Sequence, residues 1–346
     1  MKRERNYLVG PCSAESREQV LETAKAISNL GFDASDLKFI FRAGVWKPRT
    51  SPDTFQGAGE EALGWLQEVK QMFGMPVATE VATPEHVEAV LNAGIDYLWI
   101  GARTSANPIA VQAIADALNN RNIRNNPKAV FIKNPVNADA ALWIGNIERL
   151  ERTGVPVMAV HRGCNHQPCW SMAHTVRTAR PDIPMLLDPS HLSGDAAKVP
   201  ELLKKVEELG MNGAMIEVHC SPEQALSDKD QQITPTCLRN TLYPILSRFC
   251  LASLISPSDG PEELNWLRAE IDELDDALWD TIAARMDVSQ RIGAWKKVHG
   301  VAPLQPERYQ QILAQRQLWA QKSGMDAAFI EKVFNLIHEQ SLKVQE

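Results

Sequence analysis

Eight times between Tyr7 and about Phe249, a short β-rich apolar run is followed by an amphipathic stretch. The runs are "YLVG" (7–10), "KFIFRA" (38–43), "PVATEV" (76–81), "YLWIGA" (97–102), "AVFIKN" (129–134), "VPVMAV" (155–160), "PMLLD" (184–188) and "GAMIEV" (213–218). Between them lie helical patterns such as "SREQVLETAKAISNLG", "PEHVEAVLNAG" and "DAAKVPELLKKVEELG", several closed by the glycine that favours a helix C-terminus. The runs are nearly continuous in apolar character, as strands buried on both faces must be, and parallel strands need a crossover of helical length. Eight such units predict an α/β fold of the (β/α)8 TIM-barrel type over residues 1–250, with a doubly wound open sheet as the alternative.

The pattern stops after "LASLISPSDGPEE", where Ser, Pro and Gly predict a linker over 251–261. Beyond it Leu264, Leu267, Ile271, Leu274, Leu278 and Ile282 recur at spacings of three and four, with nothing to break a helix before about His299. A second helix is expected from Pro306 to Ser323, with Pro at its start and Gly324 past its end, and a third from near Asp326 to the terminus. Residues 262–346 therefore predict a small all-α three-helix domain.

The net charge of −7 offers no basic excess for nucleic acid, and no run has the length of a membrane span. "MKRERNYLVG" lacks the apolar core of a signal peptide, and six cysteines spread over 346 residues form no disulfide framework. A reducing cytoplasm is the expected setting.

In a barrel the chemistry sits where strands end. "KPRTSP" at 47–52 would taken alone be a solvated basic turn, yet each strand delivers a charged or metal-capable residue at its end. Lys47 and Arg49 join Arg42, Arg103, Lys133 and Arg162 in a ring of cations, which predicts anionic substrates rich in phosphate and carboxylate. Cys12, His191, Glu217 and Asp228 fall at or just beyond strands one, seven and eight, neighbours once a barrel closes. A thiolate, an imidazole and two carboxylates suit one exchangeable divalent ion, Mn, Fe, Co or Zn. "HRGCNHQPC", with His161, Cys164, His166 and Cys169, has the look of a zinc cluster, but its spacing is not the usual one and it is read as a loop over the barrel mouth.

"GPCSAES", "KPRTSP", "IGART", "FIKNP", "HRG", "DPSH", "MIEVH" and "ALSD" occur in this order across residues 10–228. Together they resemble the type Iβ 3-deoxy-D-arabino-heptulosonate 7-phosphate (DAHP) synthases, which join phosphoenolpyruvate to erythrose 4-phosphate with a divalent metal. The resemblance implies that Cys12, His191, Glu217 and Asp228 are metal ligands and that Arg42, Lys47, Arg103, Lys133 and Arg162 clamp phosphoenolpyruvate. It implies that Arg49 and Thr50 contact erythrose 4-phosphate and that Glu80 orients the attacking water. The rival is the sister synthase that uses arabinose 5-phosphate, which carries a KANRS-like segment where this chain has "KPRTS". Members with an N-terminal regulatory domain have a segment for which this reading leaves no room, since the barrel starts almost at residue 1.

"LRAEIDELDDALWDTIAARMDVSQRIGAWKK" and "FNLIHEQSLKVQ" resemble the all-helical AroQ-class chorismate mutases. That resemblance assigns Arg268, Arg285, Lys296, Arg308, Ser341 and Gln345 to a site converting chorismate to prephenate, with Lys296 and Gln345 donating to the ether oxygen. Tyr309 stands where a glutamate is common in that family. Arg285 and Lys296 are eleven residues apart, on nearly one face and about 16 Å apart along a helix axis, whereas Arg268 lies about 25 Å from Arg285 on another face. Arg268 is therefore expected to complete the site of a second chain in an interlocked homodimer. Prephenate bound to this domain is expected to restrain the barrel. The alternatives are a non-catalytic dimerising or regulatory tail and a tail that recruits another enzyme.

Overall fold

A computed structural model describes residues 5–31, 37–48, 53–119, 126–165, 167–252 and 262–345. Arg49 and Thr50, His166 and nearly all of the expected linker lie outside these residues.

The expected strands form, each within two residues of its sequence bounds. They are β1 (Arg5–Gly10), β2 (Leu37–Arg42), β3 (Val77–Val81), β4 (Tyr97–Ile100), β5 (Ala129–Lys133), β6 (Val157–His161), β7 (Met185–Leu187) and β8 (Gly213–Glu217). All pairs are parallel, and β8 returns to β1 to close the barrel in sequence order, which excludes the open sheet. Alternation along each strand splits the apolar residues into two sets. Leu8, Ile40, Ala78, Tyr97, Trp99, Phe131, Val160, Leu186 and Met215 pack with one another as the barrel's filling. Their neighbours, including Val9, Phe41, Leu98, Ile132 and Ile216, pack against the surrounding helices.

The helices are held where capping chemistry predicts. Ser16, Thr83, Asn107 and Asp139 each accept a backbone N–H at the start of the helices Arg17–Ser28, Pro84–Asn92, Pro108–Leu118 and Ala140–Glu151. Gly10 ends β1 at φ +149°, where a Cβ would stand 2.1 Å from the Arg42 carbonyl oxygen. Only glycine lets β1 and β2 approach there, and this brings the "PCS" turn beside Arg42.

The tail forms helices Glu262–His299, Pro306–Ser323 and Ala327–Lys343, the last capped by Asp326. Contacts divide the chain into two units, Met1–Glu270 and Ile271–Glu346. The opening turns of the first tail helix thus belong with the barrel. Within the second unit few large apolar side chains are covered; Phe334 is, whereas Ile271 (58% exposed), Leu274 (69%), Leu278 (52%), Trp279 (65%) and Leu336 (67%) are not.

Candidate active site

The two-residue period that fills the barrel also builds its mouth. One step beyond the filling layer, the same inward rows continue as Arg42 after Ile40, Glu80 after Ala78, Lys133 after Phe131, Arg162 after Val160, Asp188 after Leu186 and Glu217 after Met215. Arg42, Asp188 and Glu217 are wholly buried, and Lys133, Glu80 and Arg162 nearly so.

Burying charge is costly unless it is paired, and the pairs are present. Lys133 Nζ donates to Asp188 Oδ2 at 2.7 Å, Arg42 Nη2 to Glu217 Oε1 at 3.2 Å and Lys47 Nζ to Glu80 Oε2 at 3.5 Å. Arg42 also lies over the Trp99 ring, 4.7 Å from its centroid. Burial depresses the Lys133 pKa despite Asp188. Burial likewise opposes ionisation of Asp188, but His191 and Lys133 hold its carboxyl well below the usual range. For Lys47 burial opposes the charge, but the Glu80 and Glu217 carboxylates, with the Cys12 sulfur when it is ionised, raise its pKa.

The cations are not all satisfied by these carboxylates. Arg42 Nε and Nη1 and Arg162 Nε are buried without a hydrogen-bond partner. Orphaned guanidinium donors in a native interior call for a ligand or water. A cleft of ≈ 290 Å³ adjoins Arg162, lined also by Lys47, Glu80, Arg103, Lys133 and His191, while Arg42 lies buried behind this lining. Gly101 lines the same cleft, and a Cβ there would meet Glu80 Oε1 at 2.1 Å. The glycine of "IGART" is the space in which the Glu80 carboxylate sits.

Cys12, Glu217 and Asp228 bring their ligand atoms within 4.8 Å of one another, and Cys12 Sγ lies 3.0 Å from Asp228 Oδ2. His191 stands just outside this trio with Nε2 3.8 Å from Glu217 Oε1, while its Nδ1 faces Asp188 Oδ2 at 3.0 Å. A carboxylate on the far nitrogen is the usual support of a metal-binding imidazole. Burial, reinforced by Glu217, pushes the Cys12 thiol up. A divalent cation among these donors would stabilise the thiolate, and the mixed S, N and O set suits a borderline metal. The residues fit such an ion. Among the described residues, the trio is the group of three or more that meets this spacing; His166 of the Cys–His loop lies outside them.

Four contributors were not singled out from the sequence. Asp188 pairs with Lys133 and accepts the His191 backbone N–H at 3.0 Å. Gln231 donates to Glu217 Oε2 at 2.7 Å. Gln232 accepts the Cys12 backbone N–H at 3.0 Å and donates to the Ser227 carbonyl at 2.8 Å. Asn134 accepts the Arg162 backbone N–H at 2.7 Å and donates to the Gly163 carbonyl at 2.9 Å. Inward parity would have found Asp188; the amide side chains leave no such signal.

In the second unit the first and third tail helices, with Gln345 just past the third, gather another polar set. Arg285 Nη1 donates to Ser341 Oγ and, at 3.4 Å, to the Ile337 carbonyl. Lys296 Nζ donates to Gln345 Oε1 at 3.0 Å. Ser341 and Gln345 are four apart, so Arg285 and Lys296 converge on one strip, as their shared face predicts. Gly293 is buried here, and a Cβ would lie 2.6 Å from the Gln345 Cα. Arg308 is exposed with Gln311 Oε1 at 3.5 Å, and is not brought to Arg285 or Lys296 by any described contact. Tyr309 donates to Asn335 Oδ1 at 2.6 Å and packs on His338. Arg268 is exposed in the first unit.

Residues 3–246 match the DAHP synthetase I family, and residues 267–346 match chorismate mutase type II. A phospho-2-dehydro-3-deoxyheptonate aldolase of Thermotoga maritima is 32% identical over 239 residues, 65% of this chain and 64% of that protein. This chain thus spans just under two thirds of that relative's length. A 2-dehydro-3-deoxyphosphooctonate aldolase of Desulfatibacillum aliphaticivorans is 26% identical over 267 residues, covering 69% of this chain and 90% of that protein. For the tail, a 4-amino-4-deoxychorismate mutase of Streptomyces pristinaespiralis is 33% identical over 94 residues, 26% of this chain and 73% of that protein.

Proposed function

The chain belongs to the DAHP synthetase I family and carries a chorismate mutase type II domain, and from that premise we propose that it is a bifunctional enzyme of aromatic biosynthesis. The barrel condenses phosphoenolpyruvate with erythrose 4-phosphate to DAHP and phosphate, and the tail rearranges chorismate to prephenate. The observation that carries the first reading is the convergence of Lys47, Arg103, Lys133 and Arg162 on one cleft beside the Cys12–Glu217–Asp228 donors.

Phosphoenolpyruvate is a phosphate and a carboxylate on one enol. Arg103, Lys133 and Arg162 hold these anionic groups, and the unpartnered nitrogens of Arg42 and Arg162 gain acceptors. Fixing both substrates in register removes much of the entropic barrier. The enol methylene then bonds to the aldehyde carbon, whose oxygen gains negative charge and takes a proton from Lys47, kept charged by Glu80 and Glu217. Water, oriented by Glu80, adds to the cationic carbon left behind and gives one proton to Glu80, which returns it to Lys47 3.5 Å away. The hemiketal phosphate then collapses to the ketone, its hydroxyl proton leaving with the phosphate as the carbon–oxygen bond breaks. Cys12, His191, Glu217 and Asp228 would hold the divalent ion, which supplies Lewis-acid polarisation of the aldehyde when bound. Arg49 and Thr50, the proposed sugar-phosphate contacts, belong to the "KPRTS" segment that distinguishes the chain from the arabinose 5-phosphate enzymes.

In the tail, Arg285 secures a carboxylate of chorismate while Lys296 and Gln345 donate to the ether oxygen as its bond breaks. A preorganised cationic pocket suffices, since no covalent intermediate forms. The uncovered stripe of Ile271, Leu274 and Leu278 supports a homodimer in which Arg268 serves the partner's site. Prephenate bound there restrains the synthase, provided that it binds two domain arrangements with different affinity.

Lys133→Ala and Lys296→Ala test the division of labour. The first should abolish phosphoenolpyruvate consumption and spare chorismate loss; the second should do the reverse. A parent protein without mutase activity would reduce the tail to a dimerising element, and a Lys296→Ala protein with full mutase activity would remove Lys296 from the site.

A further inference from the structure

We infer that Trp266 is a positioning residue for the synthase reaction, acting through a chain of rings on the strand ends that carry Arg162 and Lys133. The inference rests on the synthase reading above. Trp266 lies outside both family matches, 3–246 and 267–346, so neither family assigns it a role.

Trp266 opens the first tail helix, yet it is 1% exposed and belongs to the barrel unit. Its Nε1–H donates to the Leu209 carbonyl at 3.1 Å, its ring stacks on His174 at 5.6 Å, and the Arg177 guanidinium lies 5.8 Å from its centroid. Around it, Asn265 donates to the Glu208 carbonyl at 2.9 Å, Arg177 pairs with Glu262, and His174 Nδ1 pairs with Glu270 at 2.5 Å. This is a built socket, not a passing contact.

The far edge of the socket is Trp170, which meets Trp266 edge-on at 6.1 Å and 76°. Trp170 in turn packs on His161 at 5.3 Å, and His161 on Trp143 at 6.3 Å. His161 is the last residue of β6, immediately before Arg162, and it points outward while Arg162 points into the mouth. Its Nε2–H donates to the Pro168 carbonyl at 2.7 Å, which ties the end of the Arg162 loop to its beginning. Burial holds its pKa down to about 4, so the ring is neutral and stays in that tautomer. Trp143 Nε1–H donates to the Ile132 carbonyl at 3.3 Å, immediately before Lys133.

Two phosphoenolpyruvate cations therefore follow residues fixed by one row of packed rings, and Trp266 closes that row. Close-packed rings transmit displacement, because a gap at one end is filled only by movement along the row. Small errors in placing a substrate clamp cost affinity and rate out of proportion to their size.

The test uses the full chain as Trp266→Leu, which stays apolar but leaves a gap where the indole was, and Trp266→Phe, which keeps an aromatic edge toward Trp170. The KM for phosphoenolpyruvate should rise about tenfold in the Leu variant, with the KM for erythrose 4-phosphate unchanged and the Phe variant nearer the parent. Should the Leu variant prove insoluble, His174→Gln, which removes the ring beneath Trp266, carries the same expectation. An unchanged phosphoenolpyruvate KM, or a loss confined to kcat as a smaller folded fraction would give, overturns the inference, as does a Phe variant no better than Leu. A parent protein without synthase activity would instead overturn the functional reading itself.

Discussion

Gly293→Ala is a one-methyl perturbation whose outcome separates two opposing effects. The position is buried in the helix Glu262–His299, and a Cβ there would lie 2.6 Å from the Gln345 Cα, 2.8 Å from its carbonyl oxygen and 2.9 Å from its Cβ. Carbon atoms in contact prefer about 3.5 Å or more, so the terminal turn must retreat by about 0.9 Å. The obstacle is backbone, so no side-chain rotation relieves it. Lys296 now donates to Gln345 Oε1 at 3.0 Å, and that retreat takes the pair beyond hydrogen-bond reach. The helix itself gains, since alanine is favoured over glycine by roughly 1 kcal/mol in a helix interior. Helicity should hold or rise while the mutase loses a donor to its transition state, a loss of about 10²-fold or more in kcat by comparison with other oxyanion donors. Chorismate loss followed by absorbance, beside a thermal melt by circular dichroism, reads both effects. Mutase activity at the parental level would refute the assignment of Gln345, and a collapsed melt would refute the claim that only the terminal turn yields.

Gly101→Ala should drive the Glu80 carboxylate from its place, breaking its 3.5 Å contact with Lys47, and lower synthase kcat about tenfold or more while sparing the mutase. Dialysis against a chelator should abolish the synthase and leave the mutase intact; in Cys12→Ser, restoration should need more Mn2+, and equal Mn2+ requirements would remove the thiol from the ligand set. Leu274→Glu places a charge in the uncovered stripe, where the side chain is 69% exposed, and should halve the mass seen by light scattering if that stripe is the dimer seam.

The barrel was legible because two periodicities agree. Continuous apolar runs such as "YLWI" have no stable home except a sheet covered on both faces, and the stretches between them have helical spacing and caps. The mouth was legible to the extent that its groups are charged. Arg42, Lys47, Lys133, Arg162 and Glu217 stand at strand ends, where charge in an apolar run demands an explanation. Asp188 was hidden by its neighbour, since "DPSH" offers His191 as the obvious chemistry. Gln231, Gln232 and Asn134 act through amides, which carry no charge signal, and across separations such as the 220 residues between Cys12 and Gln232. Trp266 was hidden differently. Its helix reads as tail, and only packing shows that its opening turns join the barrel unit. In the tail, Arg285, Lys296, Ser341 and Gln345 meet as helical spacing predicts, whereas Arg268 and Arg308 do not join them within the described contacts.

The account stands most directly on phosphoenolpyruvate consumption by the full chain with Mn2+, run with erythrose 4-phosphate and in parallel with arabinose 5-phosphate, each with and without prephenate. Consumption with erythrose 4-phosphate alone, releasing one phosphate per DAHP and suppressed by prephenate, is the predicted result. Turnover of arabinose 5-phosphate in preference, or no turnover of either sugar, would contradict the account at its centre.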